Sequence, residues 1–192
     1  ERGRLETIDR LGNNALKDGD VVKTTLDALQ QEAAVIAMRD ALINYDRRHG
    51  YRGAETHVEL EATASKSEWD DALADYRSIA SLEPGLVTQS DKGSVTIYVG
   101  DGKEASLDQA SLTWARHGNA KSLADVFKRG DIVRLIRNVK DDSWKLTQIP
   151  AAEAAIVSPN PADGAIESMV GGLSFQRSKF NRATQNARQP GP

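Results

Sequence analysis

Between residues 57 and 150, short apolar runs alternate with turn-forming residues, and this pattern constrains the fold more than any other feature of the chain. The runs are rich in β-branched side chains, which is typical of short β-strands. A stretch with helical character, residues 68–80, interrupts the series. We therefore predict a small barrel of about five strands with one helix. The runs are HVELEA (57–62), GLVTQSD (85–91), SVTIYVGD (94–101), DIVRLIRNV (131–139) and WKLTQIP (144–150), and the turns are Asp91-Lys92-Gly93, Asp101-Gly102-Lys103 and Asp141-Asp142.

Alternation within two of these runs predicts one buried and one solvated face of the sheet. Successive side chains of a strand point to opposite faces, so polar and apolar residues separate when one face is wet. On this basis Tyr98 and Arg134 are expected to face water. The alternating sets are Val95, Ile97 and Val99 against Thr96 and Tyr98, and Ile132 against Arg134.

The first part of the chain predicts a polar linker, a strand and one long helix. Residues 1–20 are polar and loop-like, and residues 21–26 have the composition of a strand. Asp27 followed by Gln30 is a capping-box pattern, so a helix begins there and runs to about Arg47 or Arg48. The apolar residues expected on its buried side are Leu29, Ala33, Ile36 and Ile43.

The segment YDRRHGYRG, residues 45–53, follows directly and allows two interpretations. Its arginines, tyrosines and His49 could bind an anion, and Asp46 could pair with one of the arginines. Alternatively it is a helix C-terminus, where cations complement the helix dipole and Gly50 and Gly53 provide the turn that ends the helix. We favour the structural role.

The last forty residues predict a hairpin followed by a polar segment. Residues 154–157 and 165–170 are apolar runs on either side of PNPADG, a sequence dense in turn formers. Gly171-Gly172 then leads into a stretch rich in Asn, Gln, Arg and Lys, which has little apolar surface with which to order itself.

Composition excludes several classes of function. The chain has no cysteine, so it has neither disulfides nor cysteine-ligated metal. His49, His57 and His117 lack metal-ligand spacing, and we expect no metal and no cofactor. A formal net charge of −3 argues against a general nucleic-acid binder. No apolar run is long enough for a membrane span, and the charged start is not a signal peptide, so any anchor is expected upstream.

Three segments, in this order along the chain, carry a family resemblance. KTTLDALQQEAA (23–34), YDRRHGYRG (45–53) and SKFNRATQNARQPG (178–191) are similar to segments of the class A penicillin-binding proteins, in particular the 1A family of Gram-negative bacteria. In that family a nucleophilic serine follows the QPG turn and begins a Ser-x-x-Lys motif. Pro192 stands at that position, and neither Ser-x-x-Lys nor Lys-Thr-Gly occurs elsewhere. We therefore expect a fragment with no catalytic residue.

The resemblance implies a domain organisation within a larger α+β, mainly β, protein. It predicts a linker (1–20), a strand and helix of the transpeptidase region (21–56), an inserted oligonucleotide-binding-like docking domain (57–150) and the truncated start of the transpeptidase domain (151–192). The inserted domain is a small barrel between those segments.

The resemblance also implies a partner. The parent would be a bifunctional cell-wall synthase, anchored in the inner membrane and acting in the periplasm, and its inserted domain would receive an outer-membrane lipoprotein activator. A passive spacer, or a module that contacts peptidoglycan directly, is the alternative; no nucleic acid is expected. LTWARHGN (112–119) resembles a Val-Arg-Trp-Ala-Arg stretch of the 1A family, which makes Trp114, Arg116 and His117 the docking candidates. Packing of Trp114 in the core is equally compatible with the sequence.

Overall fold

The computed structural model describes residues 2–15, 17, 21–116 and 120–187, and the chain divides into two compact units. Glu1–Met38 and Ala154–Pro192 form the first unit, and Arg39–Glu153 forms the second. The fold of the described residues is mixed α+β with antiparallel sheets. Its α-helices are α1 (Arg2–Leu11), α2 (Ala28–Arg48) and α3 (Lys66–Leu73).

The second unit is built on a six-stranded antiparallel sheet. Its order is β1-β5-β2-β3-β4, and β6 also pairs with β5. The strand pairs among the described residues do not include one between β4 and β6, so the structure shows an antiparallel sheet and closure of the predicted barrel is not shown. The strands are β1 (Thr56–His57), β2 (Glu83–Ser90), β3 (Ser94–Gly100), β4 (Lys103–Asp108), β5 (Asp131–Arg137) and β6 (Trp144–Thr147).

Two strands differ from the prediction. HVELEA contributes only His57 to a strand, the two-residue β1, which pairs with the start of β5. By contrast, β4 follows the tight turn at Asp101-Gly102, where both residues have positive φ, and was missed. Its charged residues disfavour a strand, but Ala105 and Leu107 alternate into the core and its full length pairs with β3.

The central strands β2, β3 and β5 are buried on both faces, contrary to the expectation of one wet face. Val95 and Ile97 belong to a core cluster on one face, whereas Tyr98 belongs to a second cluster with Leu86 and Ile132. α3 packs its Leu73 and Trp69 against this second cluster. Tyr98 is therefore fully buried, and Arg134 is only 3% exposed. The prediction that Ile132 and Arg134 lie on opposite faces is wrong, because residues two positions apart on a strand share a face. Alternation within β3 did not reveal that a helix covers the second face.

The helix α3 is shorter than predicted and begins earlier. Ser65 is its N-cap, and the Glu68 side chain accepts hydrogen bonds from Ser65 N at 2.7 Å and Ser65 Oγ at 2.9 Å. The helix ends at Leu73 instead of Ala80, where Ala74 N donates to Asp71 O and Tyr76 N donates to Leu73 O in a turn. A second tight turn follows at residues 79–82, in which Ala80 and Ser81 have positive φ.

The first unit contains a hairpin, as predicted, with strands β7 (Ile156–Pro159) and β8 (Ile166–Val170). The predicted strand at residues 21–26 is wrong, because the segment has no ladder pairing. It meets β8 through single hydrogen bonds: Thr25 Oγ1 donates to Ile166 O at 2.7 Å, and Asp27 N donates to Glu167 O at 2.9 Å. α1 was also missed; an Arg10–Glu6 pair one turn apart supports it within a segment that reads as linker.

The long helix α2 has the predicted ends but a different buried side. Asp27 caps it by accepting from Gln30 N at 2.9 Å. Leu29 is 77% and Ile36 is 54% exposed, whereas Met38 and Leu42 are buried. The apolar residues of this helix lie on all of its sides, so their periodicity could not identify the buried face.

The polar segment after Gly171 is ordered by side-chain hydrogen bonds. Asn181 N donates to Gln185 Oε1 at 2.7 Å, and Asn181 Oδ1 accepts from Ala183 N at 3.0 Å. Asn181 packs so closely on Gly171 that a Cβ there would lie 2.2 Å from its Oδ1. A glycine is therefore required at this contact.

Candidate functional site

The end of α2 begins a cluster of contacts that holds together two distant parts of the second unit. His49 N donates to Asp46 O at 3.0 Å, and Gly50 N donates to Arg47 O at 3.2 Å, which completes the last helical turn. Gly50 has φ +89° and Gly53 has φ +103°, conformations that favour glycine. The glycines therefore end the helix as predicted.

Asp46 is the centre of this cluster. Its side chain is buried, and Oδ1 accepts from Arg52 Nη1 at 2.7 Å and from Ala151 N at 3.0 Å. Burial opposes ionisation of the carboxyl, but these hydrogen bonds and the charge of Arg52 outweigh it and hold the pKa of Asp46 below its ordinary value. The predicted pairing of Asp46 with an arginine of this segment is thus present.

Arg52 and Gln148 complete the cluster. Arg52 Nη2 donates to Ile149 O at 2.7 Å, and Arg52 N donates to Gln148 Oε1 at 2.9 Å. Gln148 Nε2 in turn donates to Gly50 O at 2.8 Å. Residues 46–52 are therefore bonded to residues 148–151, about a hundred positions later in the chain. We call Asp46, Gly50, Arg52, Gln148 and Ala151 the joint.

Beside the joint lies a cavity of about 150 Å³. The guanidinium of Arg134 lies in its wall and forms a two-fold contact with Glu55, with Nε donating to Oε2 at 2.6 Å and Nη2 to Oε1 at 3.1 Å. Arg134 Nη1 also donates to Arg77 O at 2.7 Å. This buried arginine is consequently compensated, which explains why it can occupy a covered sheet face. The lining residues are Tyr51, Arg52, Gly53, Ala54, Glu55, Val133, Arg134, Thr147, Gln148 and Ile149.

Trp114 lies at the edge of the core. It sits in a 3₁₀ turn (Thr113–Ala115) and is half-buried against the first core cluster. Its ring meets Tyr51 edge-on, with centroids 5.7 Å apart and an angle of 82° between planes. The guanidinium carbon of Arg47 lies 5.2 Å from the Trp114 ring centroid. Trp114 thus packs against the core and also contacts Arg47, whose side chain is exposed at the surface.

The other predicted docking residues are only partly described. Arg116 is half-buried, and its Nε is buried without a hydrogen-bond partner among the described residues. His117 and Pro192 lie outside the described residues. The sequence did not indicate that Arg47 lies over Trp114, since the two are far apart in the chain. The one sequence feature that pointed to Arg47 was the cluster of cations at the end of α2.

The remaining histidines have structural contacts. His57 Nδ1 lies 2.7 Å from Asp131 Oδ1, and His49 Nδ1 lies 2.8 Å from Tyr45 O. Among the described residues no group of three or more His, Cys, Asp or Glu side chains is arranged to hold a metal ion. Within the same part of the chain, no helix has both the length and the apolar character of a membrane span.

Comparison with known proteins finds similarity over the whole chain. Residues 51–152 match the family profile described as penicillin-binding protein OB-like domain. Penicillin-binding protein 1A of Pseudomonas aeruginosa is 42% identical over 199 residues, which cover 100% of this chain and 24% of that protein. Penicillin-binding protein 1A of Escherichia coli is 35% identical over 204 residues and is covered over 23% of its length.

A solved structure has the same fold. The crystal structure of penicillin-binding protein 1A from Haemophilus influenzae superposes with a TM-score of 0.80 and 35% identity, covering 95% of this chain and 26% of that one. The chain spans about a quarter of the length of the curated relatives it matches.

Proposed function

The chain belongs to the penicillin-binding protein 1A family and contains its OB-like domain, and on that premise we propose that it is a non-catalytic docking region of a peptidoglycan synthase. The parent would polymerise lipid-linked disaccharide and cross-link peptides. It would be anchored in the inner membrane and act in the periplasm. The partner that docks would be an outer-membrane lipoprotein activator.

The observation that carries this proposal is the joint. Asp46 binds both Arg52 and Ala151, so the points at which the chain enters and leaves the sheet are held by one carboxylate. A force or displacement produced by a partner on the sheet would reach both connecting segments together. A domain whose two connecting segments are bonded to each other is suited to transmit the effect of partner binding to the rest of a synthase.

The joint also supports a second function, a passive spacer. A domain whose two ends are held at fixed distance would set the separation of neighbouring domains without binding any partner. The two functions differ in whether the chain binds a ligand saturably. The experiment is therefore a binding measurement.

The test begins with the complete chain on an affinity surface and the outer-membrane lipoprotein fraction of the source organism. A captured lipoprotein is then purified, titrated against the chain, and added to the full-length synthase while peptide cross-linking is measured. Docking predicts saturable binding and a changed cross-linking rate. A folded chain, verified by tryptophan fluorescence, that binds no lipoprotein saturably would refute docking and favour the spacer.

A further inference from the structure

We propose that Arg47, Trp114 and Arg116 form an arginine–tryptophan surface that binds an acidic segment of a protein partner. This inference rests on the proposed docking function and specifies its chemistry. The three residues come from two elements of the second unit: Arg47 from the last turn of α2, and the other two from the 3₁₀ turn and the position that follows it.

Arg47 is held in place without being neutralised. Its side chain is exposed, and its guanidinium lies 5.2 Å from the centroid of the Trp114 ring. A guanidinium over an indole ring is attracted by the π-system, yet its N–H edges stay available. Among the described residues Arg47 has no carboxylate partner. Some other cations of this unit do have one, namely Arg52 with Asp46, Lys66 with Glu104, Arg134 with Glu55 and Arg137 with Asp142.

Arg116 is the second cation of this surface, and no carboxylate is paired with it among the described residues. The Nε of its guanidinium is shielded from water without an acceptor among the described residues. A partly desolvated charge without a counter-charge is unfavourable. A carboxylate from outside, meeting the terminal nitrogens, would supply the missing charge and form short charge-assisted hydrogen bonds.

The contacts of Trp114 favour an acidic peptide over a glycan. A sugar ring requires an open aromatic face, but Arg47 lies over the Trp114 ring and the rest of the side chain packs against Tyr51 and the core. What the surface offers is guanidinium edges. This arrangement selects carboxylates, and a chain of carboxylates on a protein segment would engage more than one guanidinium.

The test uses octaglutamate as the probe and the full chain, observed by NMR at the Trp114 indole N–H and the Arg Nε–H signals. We expect saturable shifts at Trp114, Arg47 and Arg116 that weaken as salt is added. A double variant, Arg47→Ala with Arg116→Ala, should bind about tenfold more weakly. The matched control is Arg77→Ala, which removes an exposed arginine of the same unit and should bind like the unchanged chain.

The outcomes separate this inference from the docking function. Equal loss of octaglutamate binding in the double variant and in the control, or no saturable shift at all, would overturn it. Shifts at the same signals with a purified muropeptide but not with octaglutamate would also overturn it and identify peptidoglycan as the ligand. If a captured lipoprotein binds the double variant as tightly as the unchanged chain, docking stands and this surface is wrong.

Discussion

Arg52 Nη1 and Asp46 Oδ1 are 2.7 Å apart, and this contact pairs a half-exposed arginine with a carboxylate that is almost entirely buried. The two residues are close in sequence, but the same oxygen also accepts from Ala151 N. A local ion pair therefore stabilises a long-range connection. Asp46 Oδ2 is buried with no hydrogen-bond partner among the described residues, whereas Oδ1 accepts both of these hydrogen bonds.

Replacing the charge at this position should destabilise the second unit. Asp46→Asn removes the negative charge that Arg52 faces, and we expect a loss of about 2 kcal/mol in the free energy of unfolding. All three tryptophans lie in this unit, so urea unfolding followed by tryptophan fluorescence measures it selectively. Asp40→Asn, an exposed change on the same helix, is the control and should stay within about 0.5 kcal/mol.

The same substitution predicts a pH dependence. The pKa of Asp46 is lowered in the folded chain, so its contribution is complete above the unfolded pKa and is lost as the pH falls through the folded pKa. The difference in unfolding free energy between the unchanged chain and Asp46→Asn should therefore be largest near neutral pH and shrink below about pH 4. Other carboxylates titrate equally in both chains and cancel. A difference that grows on acidification would contradict this assignment.

The contact between Arg47 and Trp114 should appear as a coupling energy. In a double-mutant cycle with Arg47→Ala and Trp114→Leu, we expect about 0.5–1 kcal/mol of coupling in unfolding free energy. Trp114→Leu alone should cost more than Arg47→Ala alone, because it also loses the Tyr51 contact. Strictly additive effects would mean that the stacking does not persist in solution.

A side-chain amide protects one edge of the first unit's hairpin. Gln31 Nε2 donates to Met169 O at 3.1 Å and Gln31 Oε1 accepts from Met169 N at 2.9 Å, which reproduces the pairing of a neighbouring strand. Gln31→Ala should expose this edge and raise the hydrogen-exchange rate of the Met169 amide by roughly tenfold. Glu32→Ala, at an exposed neighbouring position, should leave that rate unchanged.

Local features were predicted well from the sequence. The faces of strands and helices that are covered by distant parts of the chain were predicted poorly. The cap at Asp27, the glycines at 50 and 53 and the turn at Asp101-Gly102 depend on neighbouring residues, and each appears in the structure. The burial of Tyr98 and Arg134 depends on α3 and on Glu55, which are distant in the chain, so alternation within one strand carried no information about them.

The candidate site divides in the same way. The pairing of Asp46 with an arginine could be predicted because both belong to one nine-residue segment. The bond from Asp46 to Ala151 and the stacking of Arg47 on Trp114 join residues far apart in the chain, and such contacts follow from the tertiary fold alone.

The bond between Asp46 and Ala151 bears on how such a protein can change over evolutionary time. A segment whose first and last residues are held within hydrogen-bond distance needs almost no space at the point where it is inserted. Such a segment can be acquired, lost or exchanged between host proteins by recombination while the host's backbone on either side stays nearly in place. The joint would thus allow the segment between Asp46 and Ala151 to change separately from the chain on either side of it.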